Sequence, residues 1–459
     1  MTVGDVATTP FGLDPAALRC PHAFFDRVRD EQPIVYVPEI RCWLVTRYDD
    51  IVHVGRHPEI FSSIMPTGPI LAAQQQEAVA DLLADEPELA QRLKRMRGGV
   101  RVLLSADPPD HVRQRKLVNR AFTPPKVRAL EPRIYEVAQQ LVDGFAERGR
   151  AELVHDYGVL LPLTIIAECL GVADDELPQF KQWSDDFVAI IGNHAMSRDQ
   201  LRALLLSQND FFVYFGQKVE ERRAKPKDDL ISDVVHATLD GQPLPDEEVL
   251  GMLNQFLVAG NETTTKLIAS AVRILMERPE VMQQLRDDPS LIAGFVEEAL
   301  RLETPVQGLY RTAVEDTEVG GVPIKAGDHL MLVYAAGNRD PARFADPEAV
   351  DPCRPGLMSH LSFGHGEHFC LGAALARAEG RIAIEVLLER LDDIRPDDGV
   401  DLAELEYEPS YVLHGLKTLP VRFTAVPATG RESSLGGNRS RGRDGSRPDT
   451  DPAQMAGAT

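Results

Sequence analysis

One cysteine stands where it could do chemistry. In Phe363-Gly-His-Gly-Glu-His-Phe-Cys370-Leu-Gly372 the thiol is surrounded by glycines at 364, 366 and 372. Such glycines let the backbone turn tightly and approach a ligand closely. Leu371 to Leu391 reads as a helix, so Cys370 sits at a helix start, where the positive end of the dipole favours the thiolate. A thiolate in such a turn is a metal ligand or a nucleophile. Two further readings fit these residues alone. One is a structural cysteine in a turn. The other is a zinc site using His360, His365 or His368, although His368-Phe-Cys370 is tighter than usual zinc spacing and no second cysteine pair follows.

Other polar residues fall in apolar surroundings. Residues 248–277 read as a long helix, apolar around most of its surface and therefore buried. In its middle lies Ala259-Gly-Asn-Glu-Thr-Thr264. Burying an acid and hydroxyls there is costly without partners. The alternative is that Asn261 caps a second helix, although Thr264 fails to complete a capping box. Glu298 and Arg301 form an i,i+3 pair flanked by Phe295, Val296, Leu300 and Leu302, which implies partial burial. His111 and Arg115 share one helix face, with Arg113, Lys116 and Arg120 on the opposite one. Each basic residue alone is compatible with a solvated surface.

Together these residues resemble the cytochrome P450 family. Its haem-binding loop, F-G-x-G-x-H-x-C-x-G, is matched at every fixed position from Phe363 to Gly372. The resemblance implies haem b with Cys370 as its axial thiolate and metal ligand. Phe363 would pack beside the sulfur, Gly364 and Gly372 would shape the loop, and His368 would contact a propionate. Thiolate ligation pushes electron density onto iron and favours O–O cleavage. N–H groups after Cys370 would tune the sulfur. Ala259 to Thr264 resembles the family's oxygen-activation motif, A-G-x-[D/E]-T-T. Ala259 and Gly260 would leave room for dioxygen. Thr263 would bond back to a carbonyl and distort the helix, and Glu262 with Thr263 would relay protons as a general acid. Glu298 and Arg301 resemble the E-x-x-R element, completed by Arg354 in Asp351-Pro-Cys-Arg354. Val350 departs from the aromatic common before that aspartate, which we read as a packing change. His111 and Arg115 resemble the H-x-x-x-R pair that holds haem propionates, and Arg311 matches a third contact. The stripe of Arg113, Lys116 and Arg120 on an acidic chain suggests docking of an acidic ferredoxin, which the resemblance also implies for soluble bacterial members.

The resemblance runs from about residue 12 to Phe423. It implies a mainly α fold with small β-sheets, the haem lying between a long central helix and the cysteine-loop helix. Local patterning gives a β-pair at Pro33–Val37 and Cys42–Thr46, and helix over 108–300 with breaks at 108–109, 124–125 and 225–227. Strand-like runs follow over 303–335, at Tyr411-Val-Leu-His-Gly-Leu and at Leu419-Pro-Val-Arg-Phe. Three variable stretches are expected to line the substrate pocket. They are 64–105, with a charged insert from Glu86 to Arg97; 185–215, including Phe187, Ile190, Ile191, Phe211 and Phe212; and Val306, Leu309 and the Val412-Leu-His-Gly turn. Their apolar character implies a hydrophobic substrate such as a terpenoid, steroid or polyketide.

Composition narrows the classes. The 459 residues carry 49 basic and 71 acidic side chains, a net charge of −22, against a nucleic-acid binder. The longest nearly apolar run, Tyr157 to Ala167, is eleven residues interrupted by Pro162, where a membrane span needs about 20. No secretory signal is read at the start, and five scattered cysteines suggest no disulfide framework, so a cytoplasmic location fits. Residues 427–459 read as a disordered tail, leaving 1–426 as one catalytic domain. No flavin, nicotinamide or ferredoxin-type cysteine motif is found, so the electron donor is a separate protein. The expected reaction is insertion of one oxygen atom of O2 into a hydrophobic small molecule. The alternative keeps the haem thiolate but uses peroxide or catalyses a non-monooxygenase step; Glu262-Thr263 argues against it.

Overall fold

A single helix of 32 residues, Asp246–Glu277, runs through the molecule and organises it. Acidic Asp246, Glu247 and Glu248 fill its first turn, where they complement the exposed N–H groups. The helix stops at Arg278, just before Pro279. It does not break at Asn261. That residue is buried, and its amide donates to Ser184 Oγ at 3.0 Å. Thr265 Oγ1 donates to the Gly158 carbonyl at 3.0 Å. With these partners the polar motif is accommodated inside a continuous helix, and the capping alternative falls. The computed structural model described here covers residues 11, 14–93, 100–192, 196–239 and 241–426; the tail expected at 427–459 lies outside them.

Among the described residues, the helices that pack most extensively on this axis are Leu160–Cys169, Ile292–Glu303 and the cysteine-loop helix Ala373–Arg390. The last also packs along Pro124–Ala146. Its inward residues, such as Ile382, Ala383, Val386 and Leu387, join Leu267, Ile268, Val272, Val137 and Phe295 in the main core. A second core gathers Phe180, Trp183, Phe211, Phe215 and Leu253 near the other end of the central helix.

The sheets are small. The largest has the strand order Ile34–Val37, Cys42–Val45, His329–Leu332, Leu309–Ala313, Phe61–Ser62. Its first pair is antiparallel, Ile34 opposite Val45 and Val37 opposite Cys42. Leu391–Pro396, Pro420–Ala425 and Arg150–Glu152 form a second sheet. One expected strand is absent. Tyr411 to Leu416 makes only isolated bridges, Val306 to Leu413 and Tyr407 to Leu416. Ser410 Oγ accepts the Val412 and Leu413 N–H groups, so the chain bends there and its pairing is confined to those bridges. Among the described residues no helix is long and apolar enough to cross a membrane.

The Glu298–Arg301 pair is fully buried, beyond the partial burial expected. Glu298 Oε1 accepts from Arg301 Nε at 2.7 Å and from Arg354 Nε at 3.0 Å. Its second oxygen accepts the Asp351 N–H at 2.9 Å. Arg301 also donates to the carbonyls of Asn338, Pro347 and Ala349, and so staples the segment leading into the cysteine loop. Val350 packs against the main core where an aromatic is common. Burial alone would raise the Glu298 carboxyl, but Arg301, Arg354 and the Asp351 N–H hold it below the usual range. Its contribution is present at neutral pH and is lost as pH falls through that lowered value. Glu298→Gln leaves two guanidinium groups buried without their anion. We expect a loss of roughly 3–5 kcal/mol, read as a lower urea midpoint at unchanged slope.

Candidate functional site

The cysteine loop is shaped by its backbone. Gly364 and Gly366 have φ of +71° and +75°, a region closed to most side chains. A Cβ on Gly366 would overlap the Gly55 carbonyl of the Tyr48–Arg56 helix. Gly372 differs from the expectation: its φ of −85° is open to any residue. The Cys370 N–H donates to the Phe363 carbonyl at 2.9 Å and closes the loop. Phe363 is buried, with the Arg377 guanidinium 4.4 Å from its ring centre.

Cys370 precedes the helix, which begins at Ala373, and its thiol faces a cavity. Burial pushes the thiol up, and this outweighs the opposing Gly372 N–H, Arg115, Arg377 and Ala373 N–H. The expected net lowering by the helix start is therefore reversed. Those donors aim at the sulfur all the same, and would hold a thiolate once a metal cation faced it.

Across the cavity stands the central helix. Ala259, Gly260, Glu262, Thr263 and Thr264 line the same space as Cys370, Leu371, Leu375 and Ala376. Thr263 Oγ1 donates to the Ala259 carbonyl one turn back, at 3.0 Å. Glu262 pairs with Lys266 one turn ahead. The volume is about 580 Å³. Phe187, Phe212, Val306, Leu309, Val412 and Leu413 form its far wall, as expected from the variable stretches. Phe211 is instead fully buried in the second core. The side chains of Ile190 and Ile191 lie outside the described residues. Of the first stretch, Thr67, Leu103 and Leu104 reach the cavity. The charged insert pairs with the Arg198–Ala224 helix instead, Glu86 with Arg202 at 2.8 Å and Arg92 with Asp210 at 2.9 Å; residues 94–97 are not among those described. His414 turns away from the cavity and stacks on Tyr407.

One edge of the cavity is electropositive. The rings of His111 and His368 lie 4.1 Å apart. Arg115 donates to the Phe369 carbonyl at 2.6 Å. Arg311 stands behind this edge, buried and bonded to the Tyr310 carbonyl at 2.8 Å. Burial and then Arg115 push His111 down to about 4. Burial, Arg311, His111 and Arg115 push His368 lower still. The His111 Nδ1 and Glu367 Oε1 atoms are buried without hydrogen-bond partners. Two guanidinium groups, Arg115 and Arg311, beside the unpartnered His111 nitrogen fit a bound group carrying more than one negative charge. A porphyrin with two acid side chains would meet that requirement, with Cys370 to hold its metal and these residues to hold its acids.

The zinc alternative does not assemble. His360 bonds to Glu297 at 2.8 Å, and Arg56 donates to His365 at 3.0 Å. Among the described residues the metal-capable group that does converge is His111, Glu367 and His368, without Cys370. The proposed basic stripe is also reduced. Arg113 bonds to Glu248 at 2.6 Å, which leaves Lys116 and Arg120 exposed and without an ion pair among the described residues. Sequence reasoning missed Glu379. It lines the cavity from the cysteine-loop helix, and burial lifts its carboxyl to about 8 against the Thr264 hydroxyl bond. The available signal was a lone acid in Ala376-Arg-Ala-Glu379, on the face the helix turns inward.

Comparison with known proteins agrees with this geometry. The family model described as Cytochrome P450 matches residues 53–414. Cytochrome P450 107B1 of Saccharopolyspora erythraea is 35% identical over 436 residues, 92% of this chain and 99% of the relative. The vitamin D(3) 25-hydroxylase of Pseudonocardia autotrophica is 35% identical over 409 residues, 87% of this chain and 93% of the relative. The crystal structure of CYP109E1 from Bacillus megaterium with corticosterone superposes with a TM-score of 0.76 at 31% identity, over 89% of this chain and 99% of that one. The fold, the cysteine loop and these relatives place the chain in the cytochrome P450 family of haem-thiolate monooxygenases.

Proposed function

We propose that this monooxygenase oxidises a hydrophobic molecule of steroid or secosteroid size, drawing electrons from a separate ferredoxin. The observation that carries the reading is the single cavity that joins Cys370 to an apolar wall through the polar seam of Glu262 and Thr263. Relatives that hydroxylate vitamin D(3) or hold corticosterone support the size class. In this reading the Cys370 thiolate would hold the haem iron. His111, Arg115, Arg311 and His368 hold the propionates, and residues 1–426 act as one catalytic domain. Bound haem supplies the activation of dioxygen.

The chain's own residues do the rest. Ala259 and Gly260 present little bulk beside the haem slot. Thr263 keeps its hydroxyl proton on the Ala259 carbonyl until a stronger acceptor in the cavity takes it. Glu262 is the acid that can replace that proton. The apolar wall disfavours water beside the seam, which favours proton movement along its polar side chains. Lys116, on the helix that carries Arg115 to the cysteine loop, and Arg120, in the 3-10 turn that follows it, offer basic groups without an ion pair among the described residues, which supports docking of an acidic electron donor there. Five unpaired cysteines support a reducing, cytoplasmic setting.

Titrating the ferric haem protein with testosterone, corticosterone, vitamin D3 and a macrolactone tests the substrate class. A Soret shift to high spin with the steroids or vitamin D3 is expected as water leaves the iron; a shift with the macrolactone alone would contradict the size class. Thr263→Ala should retain haem and still consume NADH. Since a positioned general acid contributes of the order of 10²-fold, product per NADH should drop by at least about tenfold, with hydrogen peroxide making up the difference. Unchanged coupling would remove Thr263 from the relay.

A further inference from the structure

Away from the cysteine loop and the 259–264 seam, three side-chain amides line the cavity: Gln208, Asn254 and Gln255. Gln255 serves the fold. Its Nε2 donates to the Val102 carbonyl at 2.8 Å, and its Oε1 accepts the Leu104 N–H at 3.3 Å. Asn254, its neighbour in the chain, and Gln208 have no hydrogen-bond partner among the described residues. Both are half-buried. An amide carries two donor hydrogens and an acceptor oxygen, and leaving them unmatched in apolar surroundings costs free energy. The surroundings are apolar here: Phe212 lies one turn after Gln208 and Val258 one turn after Asn254, both on the cavity wall.

Position gives these amides a geometric meaning. The Arg198–Ala224 helix, which carries Gln208, packs on the central helix. On the central helix 254, 258 and 262 follow at four-residue steps and share one face. Asn254 therefore stands about 12 Å before Glu262 along the axis. The cavity has its polar seam at one end, two open amides towards the other and an apolar stretch between them.

We propose that Gln208 and Asn254 are specificity-determining residues: their amides hydrogen-bond a hydroxyl or ketone that the substrate carries about 12 Å from the carbon presented to the seam. A steroid or secosteroid with an oxygen at its far end has that form, and an unfunctionalised terpene hydrocarbon does not. Held by this oxygen, the substrate offers its other end to oxidation, so the anchor fixes the position attacked. The proposal rests on the size class given above and adds the polar group that a member of that class must carry.

Soret titrations of the ferric haem protein with 5α-androstan-3-one and 5α-androstane, one ring system with and without an oxygen, test it. A cavity without polar partners favours the hydrocarbon, because the ketone must leave water. Wild type should nevertheless bind the ketone at least as tightly; tighter binding of the hydrocarbon would overturn the anchor, and this comparison needs no variant. Asn254→Leu and Gln208→Met keep the bulk and remove the amides. Each should weaken the ketone by about three- to tenfold, the worth of one hydrogen bond, and shift 5α-androstane by less than about twofold. Equal effects on both ligands, or none on the ketone, would assign the amides to packing or to solvent and overturn the proposal. Turnover of the ketone with a surrogate ferredoxin system reads orientation. Wild type should give one main hydroxylation position and the double variant a broader mixture; an unchanged product distribution would overturn the orienting role. If wild type binds neither ligand, the size class fails and the anchor with it, whereas binding of both with the hydrocarbon tighter is failure of the anchor alone.

Discussion

A cavity edged by cations, with a thiol at its floor, is an electrostatic arrangement that protein alone does not balance. Burial, reinforced by Arg115 and Arg311, depresses both neighbouring imidazoles, and the buried Cys370 thiol is pushed away from its charged form. A group that is cationic at its centre and anionic at one rim resolves both tensions at once. Bound there, its metal would favour the thiolate, and its rim acids would take the free His111 nitrogen and the guanidinium groups. The rest of the fold follows from bringing these residues together from positions 111, 311 and 370.

Two rigid elements do that. The Glu298 cluster ties the Ile292–Glu303 helix to the 338–354 segment through buried ion pairs and carbonyl contacts, which fixes the approach to the cysteine loop. A buried cluster of this kind is weak evidence for net stability, yet losing one member strands the others. The central helix holds the opposite wall. It keeps a polar stretch in its middle because each group has a partner: Asn261 on Ser184, Thr265 on Gly158, Thr263 on Ala259, Glu262 on Lys266. The seam facing the cavity is therefore ordered rather than merely tolerated.

Much of this was legible in the residues. The cysteine loop, the long helix and the E-x-x-R element are local patterns, and local patterns survive without knowledge of tertiary contacts. What escaped were consequences of packing. Tyr411 to Leu416 has strand composition, yet Ser410 bonds its backbone into a turn. Arg113 reads like its neighbours Lys116 and Arg120, but Glu248, 135 positions away, claims it. The thiol's net shift depends on how deeply the loop is set, which no spacing reports. Glu379 and Lys266 looked like ordinary helix residues. The inward turn of one helix puts Glu379 on the cavity wall, and the missing side chain at Gly415 makes room for Lys266 behind it, where it bonds to Glu262.

The account turns on Cys370 as a thiolate ligand. The most direct measurement is the absorption spectrum of the reduced, carbon monoxide-bound haem protein. We predict the strongly red-shifted Soret band of a thiolate-ligated haem in wild type, and its loss in Cys370→His with the pigment retained. A wild-type spectrum with an ordinary imidazole-type Soret band, from folded protein with Cys370 unmodified, would contradict the assignment of the cavity and of the chemistry built on it.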